Sequence, residues 1–61
     1  MSHNQEQAVR LLARKRGATV EELAERLELP GVPAARGLIT RVKRAGRRVE
    51  NIGPHRFKLA A

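Results

Sequence analysis

The run Leu29-Pro30-Gly31-Val32-Pro33 puts two prolines and a glycine where neither a helix nor a central strand can pass. Each proline lacks an N–H and biases the residue before it to extended backbone, so the chain must turn here. Upstream of this break Val20, Leu23, Ala24 and Leu27 fall at i, i+3, i+4 and i+7, the stripe of an amphipathic helix over about 20–28. Thr19 and Glu22 form a capping box at its start, in which the hydroxyl accepts from the third helical N–H and the carboxylate reaches back. Downstream, Ala35, Leu38, Val42 and Ala45 make a second stripe over about 33–45, with Pro33 suited to the first helical position and Gly46 to the stop. Two helices joined by a tight turn follow.

Before the break, Asn4 and Gln7 read as a weaker capping box. Ala8, Val9, Leu12 and Ala13 lie at helical spacing, and Arg14, Lys15, Arg16 and Gly17 suit a last turn and its left-handed cap. A first helix is expected over about 5–16. After the break, Arg48 to Leu59 alternates as paired strands do, with Val49, Phe57 and Leu59 inward, Glu50 and Lys58 outward, and Gly53-Pro54-His55 as the turn. Such a hairpin, over about 48–59, is marginal alone and must pack on the helices. Ala18 and Thr19 add a short strand. The expected class is α+β, mainly α with a C-terminal β-hairpin, in the order helix, short strand, helix, helix, strand, strand. With 61 residues the chain holds one domain, 1–61, and a small core drawn from side chains such as Leu12, Leu23, Leu38, Ile39, Ile52 and Phe57.

The charge is unevenly placed. Four of six acids, Glu21, Glu22, Glu25 and Glu28, share the second helix; outside it, twelve of the 13 Lys and Arg residues face only Glu6 and Glu50. A surface with formal net charge +7 and this distribution seeks a polyanion, most often nucleic acid. The acidic helix face reads as solvated, with a steering role as the functional alternative.

At this point the chain resembles the biotin-repressor type of winged helix domain. The resemblance rests on Glu22-Leu23-Ala24-Glu25-Arg26-Leu27 ahead of the turn and on the ungapped wing Val49-Glu50-Asn51-Ile52-Gly53-Pro54-His55-Arg56-Phe57-Lys58-Leu59, and covers about residues 8–59. Two departures stand out. The Leu29–Pro33 turn is about one residue longer than usual, and Pro33 stands where a Ser or Thr cap is common. The resemblance implies a winged helix-turn-helix that lays its third helix in the major groove of duplex DNA and its wing on the adjacent backbone or minor groove.

The residues read directly agree with that implication. A groove about 12 Å wide admits one helix, which needs apolar residues on one side and donors on the other. Stepping 100° per residue sets Arg36, Thr40, Lys43 and Arg47 opposite the apolar stripe, with Gly37 and Arg44 at the edge. Arg36 is the first candidate for a base, since its fork matches both guanine acceptors. Thr40 suits a base or a phosphate. Arg41, Lys43, Arg44, Arg47 and Arg48 suit phosphates, which position without reading sequence. At the wing tip, Arg56 suits the narrow minor groove and His55 is either a solvated turn residue or a contact. Gly37 serves either close packing against another helix or close approach of a ligand backbone.

Catalysis finds no footing. The chain has no Asp, Cys, Tyr or Trp, and His3 and His55 lack partners for a triad or a metal site. No cofactor, metal or small-molecule substrate is expected. No apolar run reaches the length of a membrane span, so a cytoplasmic protein is the expectation, nucleoid-associated if bacterial. Duplex DNA binding fits a small transcriptional regulator or a mobile-element accessory protein, with a homodimer on DNA for tight specific binding. A protein-interaction module and an RNA-binding domain are the alternatives.

Overall fold

A computed structural model describes residues 3–60. It contains α1 (His3–Leu12), β1 (Ala18–Thr19), α2 (Val20–Arg26), α3 (Val32–Arg44), β2 (Val49–Gly53) and β3 (Arg56–Leu59). The strands form one antiparallel sheet in the order β1-β3-β2. The α+β class and the order of elements are those expected from the sequence. Among the described residues no helix is long and apolar enough to cross a membrane.

One buried cluster holds the helices together: Ala8 and Leu12 from α1, Ala18 from β1, Val20 and Leu23 from α2, and Ala35, Leu38, Ile39 and Val42 from α3. Phe57, Val49 and Leu59 close it from the sheet side, each partly buried. Two expected core members differ. Ala45 is exposed, because α3 ends at Arg44 and the chain then turns away. Ile52 is 45% exposed, because it is the extra residue of a β-bulge: Asn51 pairs with Phe57 and Gly53 with Arg56, leaving Ile52 without a partner.

The bulge and the turn belong together. Pro54 cannot adopt the positive φ that the usual two-residue hairpin turns need at their first position, so His55 alone carries it, at 56°. The added residue in β2 supplies local twist, and Asn51 bridges the irregular stretch by donating Nδ2 to the carbonyls of Gly53 (3.1 Å) and Arg56 (3.2 Å). Gly53 lies in β2, so the turn is shorter than expected.

Helix ends show which local signals prevail. α1 starts at His3, so Asn4 lies within its first turn rather than at the cap, and the cap itself lies outside the described residues. α1 stops at Leu12, four residues before the expected end: Ala13, expected on the apolar stripe, is exposed, and Ala13 to Arg16 lead down to β1. Gly17 then takes φ 63° and is buried against Phe57.

α2 ends at Arg26, two residues early, in a Schellman motif. Glu28 N–H bonds to Glu25 O and Leu29 N–H to Ala24 O (2.8 Å), with Glu28 forced to φ 53°. α3 closes in the same way around Gly46, whose N–H bonds to Lys43 O while Arg47 N–H reaches Val42 O. At its other end α3 begins at Val32, one residue earlier than expected, with Gly31 as an N-cap that has no side chain to offer. Pro33 therefore sits one position inside the start of the helix, where its missing N–H still costs nothing.

Thr19 caps α2 by accepting from Glu22 N–H at 3.0 Å, but the Glu22 carboxylate does not reach back. It bonds instead to Arg14 at 2.7 Å and Arg26 at 3.2 Å, charge-assisted contacts stronger than a neutral amide offers. The Arg14 hydrogen bond, opposed by partial burial and reinforced by the charges of Arg14 and Arg26, holds the Glu22 carboxyl below its usual range. A depressed folded value means stability present above the unfolded value and lost as pH falls through the folded one. Glu22→Gln should therefore melt below the unsubstituted chain at pH 7, by about 0.2–1 kcal/mol for so exposed a pair. The two melting curves should converge as pH falls below the ordinary glutamate range and through the lower folded value. A constant gap from pH 7 to pH 2 would show that the ion pairs contribute nothing.

Candidate nucleic-acid interface

α3 turns its buried stripe inward and leaves Arg36, Gly37, Thr40, Arg41, Lys43 and Arg44 exposed. The side chains of Arg41, Lys43, Arg44, Arg47 and Arg48 have no hydrogen-bond or ion-pair partner among the described residues, so their donors are free for a ligand. Arg36 differs. Its Nη2 lies 2.9 Å from His55 Nδ1; a guanidinium only donates, so Nδ1 accepts and the ring proton sits on Nε2.

That contact joins the tip of the hairpin to the N-terminal half of α3. A backbone bond from Val20 N–H to His55 O at 2.9 Å holds the tip from behind. Arg36, Thr40 and Lys43, with Ile39 and Phe57, line a shallow groove of about 140 Å³ beside the sheet. The Thr40 hydroxyl donates to Arg36 O at 3.1 Å, so toward a ligand it offers lone pairs, which suit a base amino group better than a phosphate.

Gly37 and Arg44 stand at the edge of this face of α3, and the rest of the expected set is spread over other faces. Gly37 and Arg41 line a separate groove of about 530 Å³ with His3, Asn4, Leu29 and others. Arg47 leaves the line of Arg36, Thr40 and Lys43 because Gly46, at φ 100°, redirects the chain. Its side chain lies beside Glu6, Val9 and Arg10 of α1. Arg48 follows on the approach to β2, where its carbonyl accepts from Ala60 N–H at 2.9 Å. Arg56 is the first residue of β3 rather than part of the tip, and its Nη1 donates to Arg16 O at 3.0 Å.

Lys15 and Arg16 were not among the expected site residues. Both are exposed in the turn between α1 and β1, next to Arg56. The signal for them in the sequence was the cation run Arg14-Lys15-Arg16, which suits a helix terminus equally well.

Gly37 has open space around it. Among the described residues a Cβ built there meets nothing within 4 Å, so close packing against another described helix is not the reason for this glycine. Among the described residues no group of three or more His, Asp or Glu side chains is placed to hold a metal ion. Neither protein-family models, curated proteins nor solved structures yield a match to this chain.

Proposed function

We propose that the chain is a duplex-DNA-binding domain of the winged helix-turn-helix type. α3 enters the major groove, and the β2–β3 hairpin lies on the adjacent backbone or minor groove. The observation that carries this reading is the tether between Arg36 of α3 and His55 of the hairpin tip, which sets the helix face and the wing side by side. Arg36 and Thr40 face bases; Lys43 and Arg44, with no partners of their own, take phosphates.

The test is a titration against duplex DNA at low salt, with duplex RNA as competitor. Log affinity should fall with log salt at a slope of about −0.9 per phosphate contacted, and RNA should compete poorly because its A-form major groove is too narrow for α3. Absence of binding at low salt would overturn the proposal. Equal competition by RNA would redirect it to RNA shape recognition.

Gly37 gives a second measurement. Inside a helix glycine costs about 0.8–1 kcal/mol relative to alanine, and nothing among the described residues needs its lack of a side chain. Gly37→Ala should raise Tm by about 4–8 °C and weaken duplex binding, because the added methyl holds the groove wall away from the helix backbone. Higher Tm with unchanged affinity would place Gly37 outside the contact.

A further inference from the structure

We propose that the turn between α1 and β1 is a second phosphate-binding site, formed by Lys15, Arg16 and Arg56, for phosphodiester groups of a nucleic-acid backbone. It rests on the duplex reading above and adds where the backbone on the far side of the wing is held.

The turn is braced from inside by Arg14. Its Nε donates to Leu11 O at 3.2 Å, and its Nη2 donates to Gly17 O at 3.1 Å and to Glu22 Oε1 at 2.7 Å. Glu22, the one acid lining this cleft, is engaged by Arg14 and Arg26 together. The side chains of Lys15 and Arg16 consequently stand on a fixed backbone with no partner among the described residues. Arg56 reaches across from β3, spending Nη1 on Arg16 O and keeping its remaining donors for the open cleft of about 410 Å³. Two unpaired cations and a third pinned beside them form a donor set that matches phosphate oxygens.

Position supports the same ligand. Arg56 follows His55 directly, and His55 touches Arg36 of α3. Successive strand residues point to opposite faces, so Phe57 lines the α3 groove while Arg56 projects to the other side of the sheet. The hairpin tip thus stands between two sets of cations. Seated at a minor groove, it meets the phosphates of one strand through α3 and those of the other through the turn.

The double substitution Lys15→Gln/Arg16→Gln changes only exposed side chains, and circular dichroism verifies that the variant folds. Its salt slope should be shallower by about 1.8, so that between 50 and 200 mM salt it loses about tenfold less affinity than the unsubstituted chain. Preference among duplex sequences should be unchanged. A folded variant with the original slope would overturn the proposal. If the unsubstituted chain binds no duplex, the duplex reading fails, and inorganic pyrophosphate decides the site by itself. Amide shifts at residues 15–17 and 56 that vanish in the variant would uphold a phosphate site, and no shifts there would overturn it.

Discussion

Gly17→Ala should lower the melting temperature of the domain by at least about 12–24 °C. Gly17 holds φ 63°, and a Cβ there would overlap the Phe57 carbonyl oxygen and lie 2.9 Å from its carbonyl carbon and 3.0 Å from Lys58 Cβ. The left-handed backbone alone costs a residue with a side chain about 1–2 kcal/mol. The overlap adds more, since backbone of a paired strand cannot step aside: Ala18, the next residue, is fully buried and registered on Phe57. At about 0.05–0.15 kcal/mol per residue a domain of this size has roughly 3–9 kcal/mol in total. A loss above about 3 kcal/mol, or some 12–24 °C in Tm, takes from about a third to all of it. Gly46→Ala is the matched comparison: φ is 100°, but nothing among the described residues lies within 4 Å of the added Cβ, so only the backbone cost applies. Equal losses from the two substitutions in thermal melts would show that the approach to Phe57 is not what requires glycine.

Gly17 also marks where the sequence stops being informative. Its left-handed conformation was expected from its place after a helix, but α1 ends well before it, because the chain needs those residues to bring Gly17 against β3. That requirement is tertiary, and the local cap signals of Arg14 to Arg16 do not contain it. Signals made within a few residues were legible: the proline break, the Thr19 cap, the α3 stop at Gly46 and the alternation that pairs β2 with β3. Ile52 was misread as core because it was chosen for its apolar side chain alone: alternation from an inward Val49 puts it outward, and it stands exposed at a bulge that follows from Pro54 limiting the turn. Glu28 at φ 53° carried no warning at all, since a Schellman ending on a residue other than glycine or asparagine is set by how Leu29 docks.

The candidate site was legible to the same depth. A helical wheel selects Arg36, Thr40 and Lys43 correctly as one exposed line, yet it carries Arg47 along on a helix that has ended by then. Arg56 and Arg16 meet across forty residues of sequence, a neighbourhood that depends on β1 pairing with β3. Charge counting could not separate these cations by face, because on a domain with net charge +7 most exposed charged side chains carry the same sign.

Arg36→Ala should cost about 1–3 kcal/mol at a preferred duplex site, roughly 5- to 150-fold in affinity, and flatten the preference among sequences. Arg44→Ala should weaken all duplexes about equally and reduce the salt slope by about one. The structure sharpens this division. Arg36 donates one bond to His55 Nδ1, which restrains a side chain whose rotamer freedom would otherwise oppose binding, and its remaining donors still form a fork. Arg36→Lys separates charge from geometry: it keeps the cation, and with it the salt slope, but cannot offer the planar fork, so preference should fall nearly as far as in Arg36→Ala. His55→Ala releases the restraint without touching the charge, and should weaken the preferred site by a smaller factor than either. If Arg36→Ala and Arg44→Ala lower affinity equally across all sequences, then Arg36 grips phosphate and α3 positions the domain without reading bases. If Arg36→Lys retains full preference, a bidentate base contact is not the source of specificity, and Thr40 on the same face becomes the residue to test.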